Sequence, residues 1–82
     1  MTLDEFNCIS RLNQFAVVKE YGEFLAVRLS SRYSVYLFYL GDFYAEVCHR
    51  HSENEINSIR GFKNIAYLDP YLQMVDVSEV MG

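Results

Sequence analysis

A single Gly41-Asp42 step lies between two runs of alternating aromatic and aliphatic residues, with Tyr33, Tyr36, Phe38 and Tyr39 before it and Phe43 and Tyr44 after it. Alternation with a period of two marks a half-buried strand, and glycine at the first central position of a two-residue loop suits a type II′ turn. The pattern predicts a β-hairpin closed by Leu40 and Phe43. Residues opposite one another on paired strands share a face, so the register extends outward from that corner. Phe38 then meets Ala45 and Tyr36 meets Val47, which defines an apolar core face. On the other face Tyr39 meets Tyr44, Leu37 meets Glu46, Val35 meets Cys48 and Tyr33 meets Arg50.

The segment before this hairpin fits the same scheme. Three strands are expected at about 23–30, 33–40 and 43–49, and a two-residue Ser31-Arg32 loop joins the first two. That loop places Leu25, Val27 and Leu29 with Tyr36, Phe38 and Leu40, and sends Phe24, Ala26, Arg28 and Ser30 to the opposite face. Two independent turns thus agree on one core face. A fourth strand is expected at about 55–62. Ile56 and Ile59 have opposite parity there, so either a bulge intervenes or Ile56 lies outside the strand.

Helical spacing brackets the strands. Thr2 and Glu5 have the separation of a capping box, and Leu3, Phe6, Ile9, Leu12, Ala16 and Val17 recur at three- to four-residue intervals. One helix is expected over residues 3–21, with Gly22 as a left-handed stop; the apolar run Phe15 to Val18 could instead form a short strand. Asn64 and Asp69-Pro70 look like helix caps and predict two short turns, about 65–68 and 70–74. The fold expected is α+β: a long N-terminal helix on a meander of about four antiparallel strands, closed by short C-terminal helical turns, in a single domain spanning residues 1–82.

Eighty-two residues leave room for one core, and the hydrophobic share of 51% is that of a globular chain. The formal net charge of −4, with seven scattered Lys and Arg, lacks the basic footprint that phosphate neutralisation requires, so no nucleic-acid partner is expected. Cys8 and Cys48 are too few for a disulfide framework and read as free thiols of a cytoplasmic protein. The acidic start Met1-Thr2-Leu3-Asp4-Glu5 has no long apolar run, and no stretch nears the ~18 apolar residues of a membrane span, so neither a signal peptide nor a membrane is expected.

The segments Gly-Asp-Phe-Tyr-Ala-Glu-Val (41–47), Ile-Asn-Ser-Ile-Arg-Gly-Phe-Lys (56–63), Leu-Asp-Pro-Tyr-Leu (68–72) and Val-Asp-Val-Ser-Glu-Val (75–80) resemble a family of small uncharacterised bacterial α+β proteins. The resemblance covers roughly residues 41–80. It implies a helix, an antiparallel meander and a C-terminal helix, and it carries no activity or catalytic residue across. Members often show Asp-Gly where this chain has Gly41-Asp42.

Candidate chemistry is sparse. Cys48-His49-Arg50-His51 is a local cluster of metal-type ligands, but on a strand His49 and His51 point one way and Cys48 the other. Two converging ligands fall short of a structural zinc site unless Glu53, Glu55 or a second chain contributes. The same geometry keeps His49 from acting as base to Cys48, and no third group is in view to orient it. The carboxylates show no reinforcing pair, and the isolated glycines form no phosphate loop. No cofactor is expected.

The non-core face is the stronger signal. It offers Val35, Leu37, Tyr39 and Tyr44 as apolar anchors, with Arg28, Glu46 and Arg50 at its margins, which is the composition of a protein interface. The expected function is a non-enzymatic protein–protein interaction module, acting as a homodimer or as a small adaptor or inhibitor. The alternatives are a small metal- or ligand-binding protein or enzyme using Cys48, His49 and His51, and a single-stranded RNA binder stacking bases on Tyr39 and Tyr44.

Overall fold

Gly41 takes φ 92°, a backbone conformation that side chains disfavour, and it turns the chain between the two central strands. The computed structural model describes residues 1–52 and 55–72. In chain order its elements are α1 (Leu3–Cys8), α2 (Arg11–Tyr21), β1 (Glu23–Leu29), β2 (Tyr33–Tyr39), β3 (Tyr44–Arg50), β4 (Glu55–Phe62) and a 3₁₀ turn, Ile65–Leu68. Residues 69–72 continue as one helical turn. The strands form an antiparallel sheet in the order β1-β2-β3-β4. The later part of the turn expected at 70–74, and the tail 76–82, lie outside the described residues.

The central register is the one expected. Phe38 faces Ala45, Tyr36 faces Val47, Leu37 faces Glu46 and Tyr39 faces Tyr44. The Leu40 N–H donates to the Phe43 carbonyl at 2.9 Å and closes the turn. The first hairpin also closes as expected, with Ser30 N–H donating to Tyr33 carbonyl at 2.9 Å.

Two features of β1 and β4 depart from simple alternation. In β4 Ile56 lies within the strand, and a bulge at Asn57 brings Ile56 and Ile59 to the same core. In β1 a second bulge at Leu25 sets Phe24 opposite Phe38, and this overturns the assignment of Phe24 to the far face. Its ring packs against Tyr36 and Phe38, with centroids 6.5 and 5.8 Å away. Aromatic contact of that kind is worth about 0.5–1.5 kcal/mol beyond burial and offsets part of the cost of leaving Leu25 in solvent. Leu25 and Leu29, expected in the core, are 46% and 72% exposed instead.

The single long helix is replaced by two short ones. Thr2 and Glu5 do form the capping box, but Ile9 is extended and Ser10 starts a second helix by accepting from the Asn13 N–H at 3.2 Å. The break frees the Phe6 carbonyl, which the buried Gln14 side-chain amide satisfies at 2.9 Å. The bend lets Phe6 and Val18, from different helices, reach one core with Phe43, Ala45 and Val47. Gly22 ends α2 at φ −77°, ψ 141°, in extended rather than left-handed backbone. Both helices pack on β4, and α1 comes so near that a Cβ on Gly61 would stand 3.0 Å from the Phe6 ring.

Gly41→Ala introduces no clash, since nothing lies within 4 Å of a Cβ there, yet it forces a side chain into positive φ. It is expected to lower the stability by about 1–2 kcal/mol, seen as an earlier urea midpoint with an unchanged m-value.

Candidate interaction surface

Glu46 lies in the middle of β3 on the sheet face away from the helices, and it is 7% exposed. A buried carboxylate is costly unless donors surround it. Three converge on this one. Arg60 Nη2, on β4, donates to Glu46 Oε1 at 2.6 Å. The Tyr71 hydroxyl, from the C-terminal turn, donates to Oε2 at 2.6 Å. Arg28 Nη2, on β1, stands 3.5 Å from the same oxygen, with its guanidinium 5.0 Å above the Tyr71 ring. Tyr71 also closes a small apolar cluster with Leu37 and Phe62, flanked by Ala26, Tyr44 and Leu68.

The far face is therefore divided. Its middle is closed within the monomer: Leu37 is 3% exposed and Glu46 is held by Tyr71, so neither side chain is displayed. Toward the Gly41 turn a row of rings crosses the strands. Tyr39 and Tyr44 lie 5.3 Å apart, Tyr44 and Phe62 stack at 5.6 Å, and Phe62 meets Tyr67 edge-on at 5.3 Å. The Arg60 guanidinium sits 4.6 Å from the Tyr67 ring. Tyr39 and Tyr67 are 38% and 46% exposed, with Ile65 and Leu72 also open to solvent. Toward the other end Val35 is half-buried beside Cys48, and Arg50 lies over the Tyr33 ring with Nη2 3.3 Å from its hydroxyl.

The structure thus brings Tyr39 and Tyr44 together, and Arg28 with Glu46, while Val35 and Arg50 belong to a separate region. Sequence reasoning missed Phe62, Tyr67, Arg60 and Tyr71. Phe62 and Arg60 follow from the β3–β4 register once the bulge at Asn57 is known. Tyr71 had a signal in Asp69-Pro70, expected as a cap; Asp69 is instead helical at φ −50°, ψ −45° and carries the 3₁₀ turn straight on to Tyr71, and nothing signalled where that turn docks.

The metal-type cluster does not assemble. Cys48 lies opposite Val35 and Ser58, while the His49 and His51 rings are 6.2 Å apart on the other side, and His51 Nε2 is engaged with the Ser34 hydroxyl at 2.7 Å. Among the described residues no three His, Cys, Asp or Glu side chains gather, and no helix is long and apolar enough to cross a membrane. No family model, curated protein or solved structure matches the chain.

Burial, reinforced by the hydrogen bond to Glu46, pushes the Tyr71 phenol up to about 12 from an ordinary 10.0. The folded state favours the protonated phenol, so its contribution is complete below the unfolded value and is lost as pH rises from about 10 toward 12. Tyr71→Phe is expected to cost about 1.5–3 kcal/mol at neutral pH, the worth of a hydrogen bond to a charged group. Denaturant titrations across the alkaline range should show the variant losing less stability than the wild type over that interval.

Proposed function

We propose that the chain is a non-enzymatic protein–protein interaction module, a homodimer or a small adaptor or inhibitor, of the cytoplasm. The observation that carries this reading is the row Tyr39–Tyr44–Phe62–Tyr67, preorganised by ring contacts yet open at both ends. Tyr39 and Tyr67 keep 38% and 46% of their surface in water, beside Ile65 at 72% and Leu72 at 57%. Rigid tyrosines supply contact area at low entropic cost, and aromatic anchors flanked by arginine are the recurrent content of interface hot spots. Tyr39 and Tyr44 keep the role expected from sequence; Tyr67 and Arg60 join them, and Val35, Arg28 and Arg50 lie at the margin. Leu37 and Glu46 act beneath the surface by fixing the turn that carries Tyr67. Membership in a family of small bacterial α+β proteins belongs to the same proposal.

A second reading is favoured by one observation, the Arg60 guanidinium over Tyr67 at the end of a stacked row, since rings beside a cation also make a platform for single-stranded RNA. The net charge of −4 opposes it.

The double variant Tyr39→Glu/Tyr67→Glu leaves the buried parts of both clusters intact, so it should fold, as circular dichroism reads. As bait in the native cell extract it should retain at least about tenfold less of the wild type's specific partner, equivalent to losing one or more hot spots. Equal retention by both baits would remove the row from the contact. A salt-sensitive gel shift with single-stranded RNA, lost in the same variant, would favour the second reading.

A further inference from the structure

The two edges of the sheet are unlike. At β4, both helices pack against the strand and Arg11 Nη1 donates to the carbonyl of the bulged Asn57 at 3.1 Å. At β1, the strand partner among the described residues is β2 alone. An open edge is commonly blunted by lysine, proline, other charges or a bulge, and β1 has of these the bulge at Leu25 with Glu23 and Arg28. β1 reads Glu-Phe-Leu-Ala-Val-Arg-Leu, with neither lysine nor proline, and exposes Phe24 at 54%, Leu25 at 46% and Leu29 at 72%. Beside it on the helix face runs an apolar groove of about 400 Å³ lined by Phe15, Val18, Phe24, Tyr36 and Phe38. We infer that β1 is the contact through which two copies of this chain associate, strand against strand and antiparallel about a two-fold axis, joining their sheets into one.

The bulge selects the register. Opposed residues of an antiparallel pair must share a face. Pairing with β2 puts Glu23, Ala26 and Arg28 on the outer face and Phe24 and Val27 on the helix face, with Leu25 as the extra residue. A two-fold axis through Ala26 then sets Phe24 against the partner's Val27 and Glu23 against the partner's Arg28. Both pairs match in face; one is apolar with apolar and the other acid with base, and symmetry repeats each. An axis through Val27 also matches faces, but it sets Arg28 against Ala26 and leaves Glu23 without a cation. Without the bulge, Glu23 and Arg28 would lie on opposite faces and could not meet in any self-pairing. Phe24 and Val27, meeting at the joint, extend the apolar groove across it. Pairing of seven-residue strands is a small interface, so a dissociation constant on the order of 1–100 µM is expected.

This inference does not rest on the aromatic row: it assigns self-association to β1 and leaves the row to a different protein partner. Sedimentation velocity over concentrations spanning that range should show the mass rising from 9.6 kDa toward twice that value. Leu25→Lys and Glu23→Lys change exposed side chains. The first should hold the folded protein monomeric, and the second should weaken association at least about tenfold. Tyr39→Glu/Tyr67→Glu should leave the wild-type mass curve unchanged. As a readout free of substitution, wild-type amide exchange should slow with concentration along β1 and not along β4. A wild type that stays at 9.6 kDa throughout overturns the inference. So does a dimer that forms equally well in Leu25→Lys, that is lost in the tyrosine variant, or whose concentration-dependent protection lies elsewhere than β1.

Discussion

The pairing of β2 with β3 decides which carboxylate enters the interior. With Leu40 closing on Phe43, Glu46 takes the face away from the helices, opposite Leu37 on one side and Arg60 on the other. A slip of one residue would carry Glu46 into the apolar cluster of Phe6, Val18 and Phe43, away from Arg60 and Tyr71. Such a charge costs several kcal/mol, so the alternative register is excluded by electrostatics as well as by hydrophobic pattern. In the observed register the cost is offset by three donors from three separate elements. The carboxylate draws β1, β4 and the C-terminal turn to one point, and this is how a chain with little core closes its second face.

The two faces are closed by different means. On the helix face, apolar area does the work: Phe6 and Val18 are essentially without solvent contact, and the helix break is tolerated because Gln14 supplies the missing donor. On the far face, one tyrosine does it, packing its ring on Leu37 and Phe62 while its hydroxyl reaches Glu46. Neither covering spans the whole sheet. The helices sit over β4 and leave the β1 side as a groove, while the C-terminal turn covers the centre and leaves the ring row at the Gly41 end open.

The parts legible in the sequence are those set by local rules. Gly41 fixed one corner, Ser31-Arg32 the other, and alternation carried the pairing of Tyr36 with Val47 and Tyr39 with Tyr44 outward from them. Opposite parity at Ile56 and Ile59 announced the bulge in β4, because two core isoleucines can share a face only if one residue is extruded. No such conflict existed in β1, where strict alternation was self-consistent; the bulge at Leu25 sets Phe24 against Tyr36 and Phe38, a contact between strands that composition does not encode. The helix break was hidden for the opposite reason. Leu3 to Val17 keeps helical spacing straight through Ile9, and Ser10 reads equally as an ordinary polar position or as a cap. As for the candidate surface, the tyrosines of the central hairpin were visible, but whether Leu37 lay open or covered depended on where Tyr71 docks, twenty-five residues from Glu46 along the chain.

Arg28 links the closed centre of the far face to the open edge. It is the looser of the two cations on Glu46, at 3.5 Å against 2.6 Å for Arg60, and it retains more than a third of its side-chain surface. Its position on β1 rather than on a neighbour of β3 explains the distance, since it must reach across β2. A guanidinium has donors enough for two carboxylates at once. If Glu23 of a second copy takes a share, Glu46 keeps Arg60 and Tyr71 and remains satisfied, so the edge contact requires no opening of the monomer. The same geometry bars the reverse. Arg60, short of Glu46 and capped by Tyr67, has no route to the β1 edge, and the ring row and the edge strand therefore act as separate surfaces on one small sheet.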